Sequence, residues 1–157
     1  MRNEKFFDIR LVPVYLFIII TGVTMMAGCS GKQPQHLGVK DGKLADCPST
    51  PNCVSTMAAD PKRRMEPLKY EGPLPAAREK VAAVVRAMKR ARIVSSGDDY
   101  IRAEFTSALF RFVDDVEFYF DDGKKLVHFR SASRVGRSDL GVNRKRMEKI
   151  SRAFRGE

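Results

Sequence analysis

The sequence has little from which to build a metal or redox centre: two histidines, three cysteines and no cluster of either. Zinc sites draw four ligands from closely spaced Cys and His, and no such spacing occurs here. The only closely spaced cysteine pair, Cys47 and Cys53, is not in C-x-x-C spacing. No glycine-rich phosphate loop precedes a Lys-Ser or Lys-Thr pair, and no nucleophile stands beside a recognisable base. These absences weigh against the common metal-dependent, nucleotide-dependent and covalent enzyme classes. They lead to the expectation of no catalytic residues, no metal and no cofactor.

Basic charge is abundant. Twenty-nine Lys and Arg face nineteen Asp and Glu, for a net charge of +10. Nine basic residues and three acidic ones fall between Arg130 and Glu157, so much of the excess sits at the end of the chain. Such a face suits anionic lipid, cell-wall polymer, nucleic acid or an envelope protein, or is simply a solvated helix face.

The N-terminus narrows the choice. Arg2, Lys5 and Arg10 precede an uncharged run from Leu11 to Met26, closed by Ala27-Gly28-Cys29. A basic head, an apolar run and small residues before a break describe a secretory signal. With Cys29 after the break, the stretch resembles the lipobox of bacterial lipoproteins, although Met26 stands where leucine is usual. The resemblance implies cleavage after residue 28 and lipidation of Cys29. The alternative is an uncleaved membrane helix, since the uncharged run approaches spanning length. Both readings place the domain on a membrane in the cell envelope, facing the periplasm or the exterior, which disfavours nucleic acid as a partner.

Residues 29–46 are then expected to form a flexible tether rich in Gly, Lys, Gln and Pro, and residues 47–157 the folded domain. Two prolines and Asn52 force a turn between Cys47 and Cys53. In an oxidising compartment a structural disulfide is expected there, with a redox-active pair as the alternative.

Pro61 to Pro75 is irregular, with a short edge strand near Met65 to Tyr70. A helix is expected over Ala76–Ala91, its apolar stripe being Ala77, Val81, Val84, Val85 and Met88. Strands are expected over Ile93–Ser96, Tyr100–Ser107 and Val113–Phe120. Ile101, Ala103 and Phe105 alternate with Arg102, Glu104 and Thr106, which predicts one covered and one wet face. Asp122-Gly123 is a strong two-residue hairpin signal. That turn would set Phe118 opposite Val127, Val116 opposite Phe129, Glu117 opposite His128, Asp115 opposite Arg130 and Asp114 opposite Ser131. Asp114 would then need a donor, and Arg134 or Arg144 is expected to supply it. A closing helix runs from Asp139 or Asn143 to Phe154, buries Met147, Ile150 and Phe154, and ends at Gly156.

The fold expected from this pattern is α+β: a single domain with an antiparallel β-sheet of about four to five strands packed against two helices on one face. Three ordered segments carry a family resemblance. They are Cys47-Pro-Ser-Thr-Pro-Asn-Cys-Val-Ser, the Asp114-Asp115 pair, and Arg130-Ser-Ala-Ser-Arg-Val-Gly-Arg-Ser-Asp-Leu-Gly-Val-Asn-Arg-Lys-Arg. Together they resemble the DUF1499 family over roughly Leu44 to Phe154. The family is named for its unknown function, so the resemblance implies a shared domain and supplies no catalytic residues.

The functional expectation is a membrane-anchored, non-catalytic binding or structural module. Arg134, Arg137, Ser138, Asn143 and Arg144 are the candidates for contact with an anion or partner. Asp114, Asp115, Arg130, Ser131 and Asp139 form a structural polar network, with Ser138-Asp139 alternatively capping the last helix. The competing reading is an enzyme using Asp114 and Asp139, or a redox protein using Cys47 and Cys53.

Overall fold

The computed structural model describes residues 31–157. The signal segment and Cys29 lie outside the described residues. Strands β1 (Val39–Lys40) and β2 (Lys43–Leu44) form a small hairpin, followed by β3 (Cys53–Ser55) and β4 (Leu68–Lys69). Helix α1 (Leu74–Arg86) leads to β5 (Ala91–Ser96), β6 (Tyr100–Thr106), β7 (Val113–Asp121) and β8 (Leu126–Ser133), and helix α2 (Val142–Arg155) closes the chain. The protein is an α+β domain whose main sheet has six strands in the order β3-β8-β7-β6-β5, with β4 also pairing with β8. All its named strand pairs are antiparallel.

The sheet exceeds the expected four to five strands because β8 has two short partners on its outer edge. Cys53–Ser55 pairs with Arg130–Ala132, and Leu68–Lys69 pairs with Leu126–Val127. Three residues at the close of a disulfide loop are too few to show a period in sequence. Cys47 and Cys53 are bonded, with Cα atoms 5.6 Å apart. In the chain-entropy description a loop this short contributes about 2 kcal/mol of stability. Here it also fixes the start of β3.

Helix α1 stops at Arg86, short of Ala91, and Arg90 turns the chain through a left-handed conformation (φ 59°) into β5. Pro75 sits in its first turn, where a missing N–H costs nothing. Ala77, Val81 and Val85 of α1 and Met147, Ile150 and Phe154 of α2 join Ile101, Ala103, Phe105, Val116, Phe118, Phe120, Val127 and Phe129 in one buried cluster. These strand residues alternate along the sequence, so they share one face of the sheet.

The β7–β8 hairpin differs in register from the two-residue-turn expectation. Phe118 faces Phe129 in place of Val127, Glu117 faces Arg130 in place of His128, Asp115 faces Ala132, and Asp114 faces Ser133. The last pair is Asp121 with Leu126, which leaves Asp122–Lys125 as a four-residue loop. Positive φ falls on Lys125 (57°), not on Gly123, so the Asp-Gly pair does not form the primed turn that its composition favours. Two side chains account for this. The Asp121 carboxylate accepts the Lys124 amide at 3.1 Å, and Tyr70 donates its hydroxyl to Asp122 Oδ1 at 2.7 Å. An offset of two residues preserves the faces, so the core side of the hairpin is unchanged.

Residues 31–46, expected to be a flexible tether, instead fold back over the second face of the sheet. Leu44 is buried, and the Gly38 N–H donates to Glu117 Oε1 at 2.7 Å. Gly31 fits against the segment after β8: with φ at +66°, a Cβ there would lie 2.7 Å from Val135 Cγ1. A stretch of Gly, Lys, Gln and Asp has no apolar period, and one buried leucine gives no pattern to read.

Candidate functional site

The polar motif residues fall into two clusters on opposite faces of β7. Asp114 and Asp115, adjacent in sequence, necessarily point to opposite sides of a strand.

On the helix-covered face, Asp114 is held by Arg146, which donates through Nη2 to Asp114 Oδ2. Arg146 Nη1 also donates to Ser131 Oγ at 3.0 Å, and the guanidinium lies 4.8 Å from the Phe105 ring centroid. Arg134 and Arg144, the expected partners, are elsewhere. Arg144 donates to the Lys62 carbonyl at 2.6 Å. Asn143, fully buried, ties the cluster together. Its amide donates to the Asn52 carbonyl and to Ser133 Oγ, both at 3.0 Å, and its oxygen accepts the Ser131 hydroxyl at 2.6 Å. Thus the disulfide loop, the end of β8 and α2 meet at one asparagine, and β7 is joined to them through Arg146 and Asp114.

The start of α2 is built for this. Gly141 takes a left-handed φ of 77°, and the Asp139 carboxylate accepts the amides of Gly141 (3.1 Å) and Asn143 (2.8 Å). An acidic group at a helix N-terminus satisfies orphan donors and complements the dipole. Ser138 Oγ accepts the Leu140 amide at 3.3 Å. Asp139 is therefore engaged in capping. The Asp114 carboxylate is occupied by Arg146.

On the other face, expected to be wet, Asp115 and Glu117 are fully buried. Arg134 grips Asp115 with two parallel bonds, Nε to Oδ2 at 2.7 Å and Nη2 to Oδ1 at 2.8 Å, and Arg102 adds a third at 3.1 Å. Arg134 also donates to Glu104, which receives Arg92 at 2.7 Å. Glu117 accepts Arg130 at 3.1 Å, Tyr100 at 2.8 Å and the Gly38 amide. Arg130 is consequently the partner of Glu117, not of Asp115. Three carboxylates meet three buried or half-buried arginines, so the internal charges balance. Arg130 Nε is buried without a hydrogen-bond partner. Sequence reading overlooked Arg102, Glu104, Tyr100, Arg146 and Asn52 as members of these clusters. For Arg146 a signal existed: it lies three residues after Asn143, on the flank of the stripe formed by Met147, Ile150 and Phe154.

Burial alone would raise the Glu104 carboxyl, but the bonds from Arg134 and Arg92 outweigh it and hold the group below its usual 4.5. Burial lowers His128 below 6.5. The His128 ring stacks on Tyr119 and meets Thr56 Oγ1 at 3.2 Å. Both groups take up protons more readily in the unfolded chain, so both favour folding at higher pH. The His128 contribution is present above pH 6.5 and is lost as pH falls through its lower folded value. The Glu104 contribution is present above pH 4.5 and is lost below that. The thermal midpoint should therefore decline in two limbs on acidification, and His128→Gln should remove the first. A first limb unchanged by that substitution would assign it to another group.

Of the expected anion-contacting residues, Asn143 is buried and Arg134 half-buried, both committed to internal bonds, Arg144 is half-buried, and Arg137 and Ser138 are exposed. They do not form one surface. A groove of about 540 Å³ lies beside them, between the end of α1 and the start of α2. Lys89, Arg90, Lys145, Arg146 and Lys149 line it, with Phe105, Met88 and Val142 as apolar wall and Asp114 as its one acid.

Fold and sites together define an α+β domain in which most of the polar motif residues form two internally bonded clusters on opposite faces of β7. The chain belongs to the DUF1499 family, described as a protein of unknown function, which matches residues 43–154. That span takes in the disulfide loop, the Asp114-Asp115 pair and the segment from Arg130 to Arg146. No curated protein matches the chain.

Proposed function

We propose that the protein is a membrane-anchored, non-catalytic module of the cell envelope that contacts an anionic group through the groove between α1 and α2. The observation that carries this reading is the division of its polar residues. Asp114, Asp115, Arg130, Ser131, Arg134, Asn143 and Arg146 of the motifs are consumed in internal bonds, whereas Lys145 of the last motif, with Lys89, Arg90 and Lys149, lines an open groove with one acidic neighbour, already paired. Four cations around an open cleft attract phosphate or carboxylate. Anchoring is supported by the Leu11–Met26 run and Cys29. Among the described residues no helix is long and apolar enough to cross a membrane.

Native mass spectrometry of the full chain, extracted gently from its own membranes, tests the reading. A phosphate-bearing lipid or glycan should be retained. Lys145→Glu with Lys149→Glu should reduce retention by at least about tenfold, since each basic residue near an anionic surface is worth about 1 kcal/mol. A chain that carries no anion, or whose ligand survives the double reversal, would remove this function.

A further inference from the structure

The large hydrophobic side chains that the fold leaves exposed are concentrated in one place. Among the described residues they are Leu109 (78% exposed), Phe110 (62%), Phe112 (40%), Leu140 (87%) and Val142 (48%). The first three belong to the connection from β6 to β7, Leu140 to the connection from β8 into α2, and Val142 opens α2.

Both connections leave the same end of the sheet. Thr106 pairs with Val113 across the first, while Ser133, the last residue of β8, pairs with Asp114, and the Arg134 amide donates to the Val113 carbonyl at 3.1 Å. The β6–β7 loop is ordered by its own bonds, Ser107 N–H to the Phe112 carbonyl at 2.8 Å and Phe112 N–H to Ser107 Oγ at 2.9 Å. The Phe110 and Phe112 rings stack 5.5 Å apart at the surface. Single exposed apolar residues are ordinary, but five gathered at one pole call for a partner.

Charge and chain path identify it. The basic groove opens at this pole, its Val142 belonging to the apolar set and its Lys145 and Lys149 following one and two turns along α2. Arg111 lies between Phe110 and Phe112. The path of the chain converges on the same pole: Gly31, two positions after Cys29, packs against Arg134 and Val135, so the chain enters the described domain here. Apolar loop tips within a ring of cations match the boundary of an anionic bilayer, where acyl chains lie under phosphate groups.

We propose that this pole of the sheet seats on an anionic bilayer leaflet. Leu109, Phe110, Phe112 and Leu140 enter the headgroup boundary, and Lys89, Arg90, Lys145 and Lys149 stand over the lipid phosphates. The seating rests on the anchored reading above and adds an orientation to it: the Asp122–Lys125 loop, at the opposite end of β7 and β8, points away from the membrane.

The chain contains no tryptophan, so one introduced residue reports one place. Full-length Phe110→Trp and Lys124→Trp are reconstituted into vesicles of phosphatidylglycerol and phosphatidylcholine, with and without brominated acyl chains. The expected result is a blue-shifted Phe110→Trp emission, quenched by brominated lipid severalfold more than that of Lys124→Trp. Charge reversal at Lys145 and Lys149 should lessen the difference. If the chain stays on the vesicles but the Phe110→Trp emission is unshifted, or both positions are quenched alike, the seating is wrong and the anchor stands. A blue shift without lipid quenching would assign the pole to a protein partner and overturn the seating. A chain that remains in the aqueous fraction defeats both.

Discussion

Arg134→Met is expected to lower the free energy of unfolding by about 3–5 kcal/mol, the usual cost of removing one member of a buried ion pair. The magnitude follows from what is left behind. The Asp115 side chain is 1% exposed and loses two of its three guanidinium bonds, keeping only Arg102 at 3.1 Å. Three carboxylates then face two arginines inside the sheet's second face. Glu104 fares better, because Arg92 reaches it from solvent. Urea denaturation measures the loss as a lowered midpoint with unchanged slope. The double change Arg134→Met with Asp115→Leu should recover much of it, since replacing a buried pair by apolar groups is often close to neutral. A loss under about 1 kcal/mol for Arg134→Met would mean that water reaches Asp115 and that the second face is open.

Asn143→Ala should cost on the order of 3 kcal/mol, because several buried polar groups lose a partner together. The Asn52 carbonyl, the Ser131 hydroxyl and Arg146 all bond to its side-chain amide. Asn52 also receives the Ser133 amide and, through its own side chain, donates to the Gly136 carbonyl at 2.7 Å. Loss of Asn143 should therefore loosen the disulfide loop and the end of β8 together. Faster hydrogen exchange at the Ser133 amide, with the β6–β7 amides unaffected, would locate the damage. Arg137→Ala, at an exposed position, should stay within about 0.5 kcal/mol of the parent. Equal losses at Asn143 and Arg137 would contradict the central place given to Asn143.

The parts legible in the sequence are those with a period or a fixed chemical pairing. Ile101, Ala103 and Phe105 declared their shared face by alternation. The stripes of both helices followed from helical spacing, and Cys47 with Cys53 had only each other once Cys29 was assigned to lipid. The parts that escaped depend on long-range contacts of single side chains. The Asp-Gly pair gave the wrong register because Tyr70, about fifty residues away in sequence, and the neighbouring Asp121 carboxylate reshape the loop. Arg102 and Glu104 looked like solvated strand residues, yet both are half-buried: Gln33 of residues 31–46 reaches Arg102 at 3.3 Å, and Arg134 and Arg92 close over Glu104. Asp114 needed an arginine, as its place on the apolar face required, but the chain offers several. Only the rotation of α2, fixed by the burial of Asn143, selects Arg146.

The strap formed by residues 31–46 also sets how the domain bears load. A pull on the chain from residue 30 arrives first at Gly31, wedged against Arg134 and Val135, next at Gln33, which accepts Arg102 at 3.3 Å, and then at the bond from the Gly38 amide to Glu117. Further along, the disulfide hands tension from Cys47 straight to Cys53, the first residue of β3, which its pairing with β8 holds in the sheet. The strap is therefore the part that yields, and its release would admit water to Glu117 and Arg130 while the helices and their core remain folded.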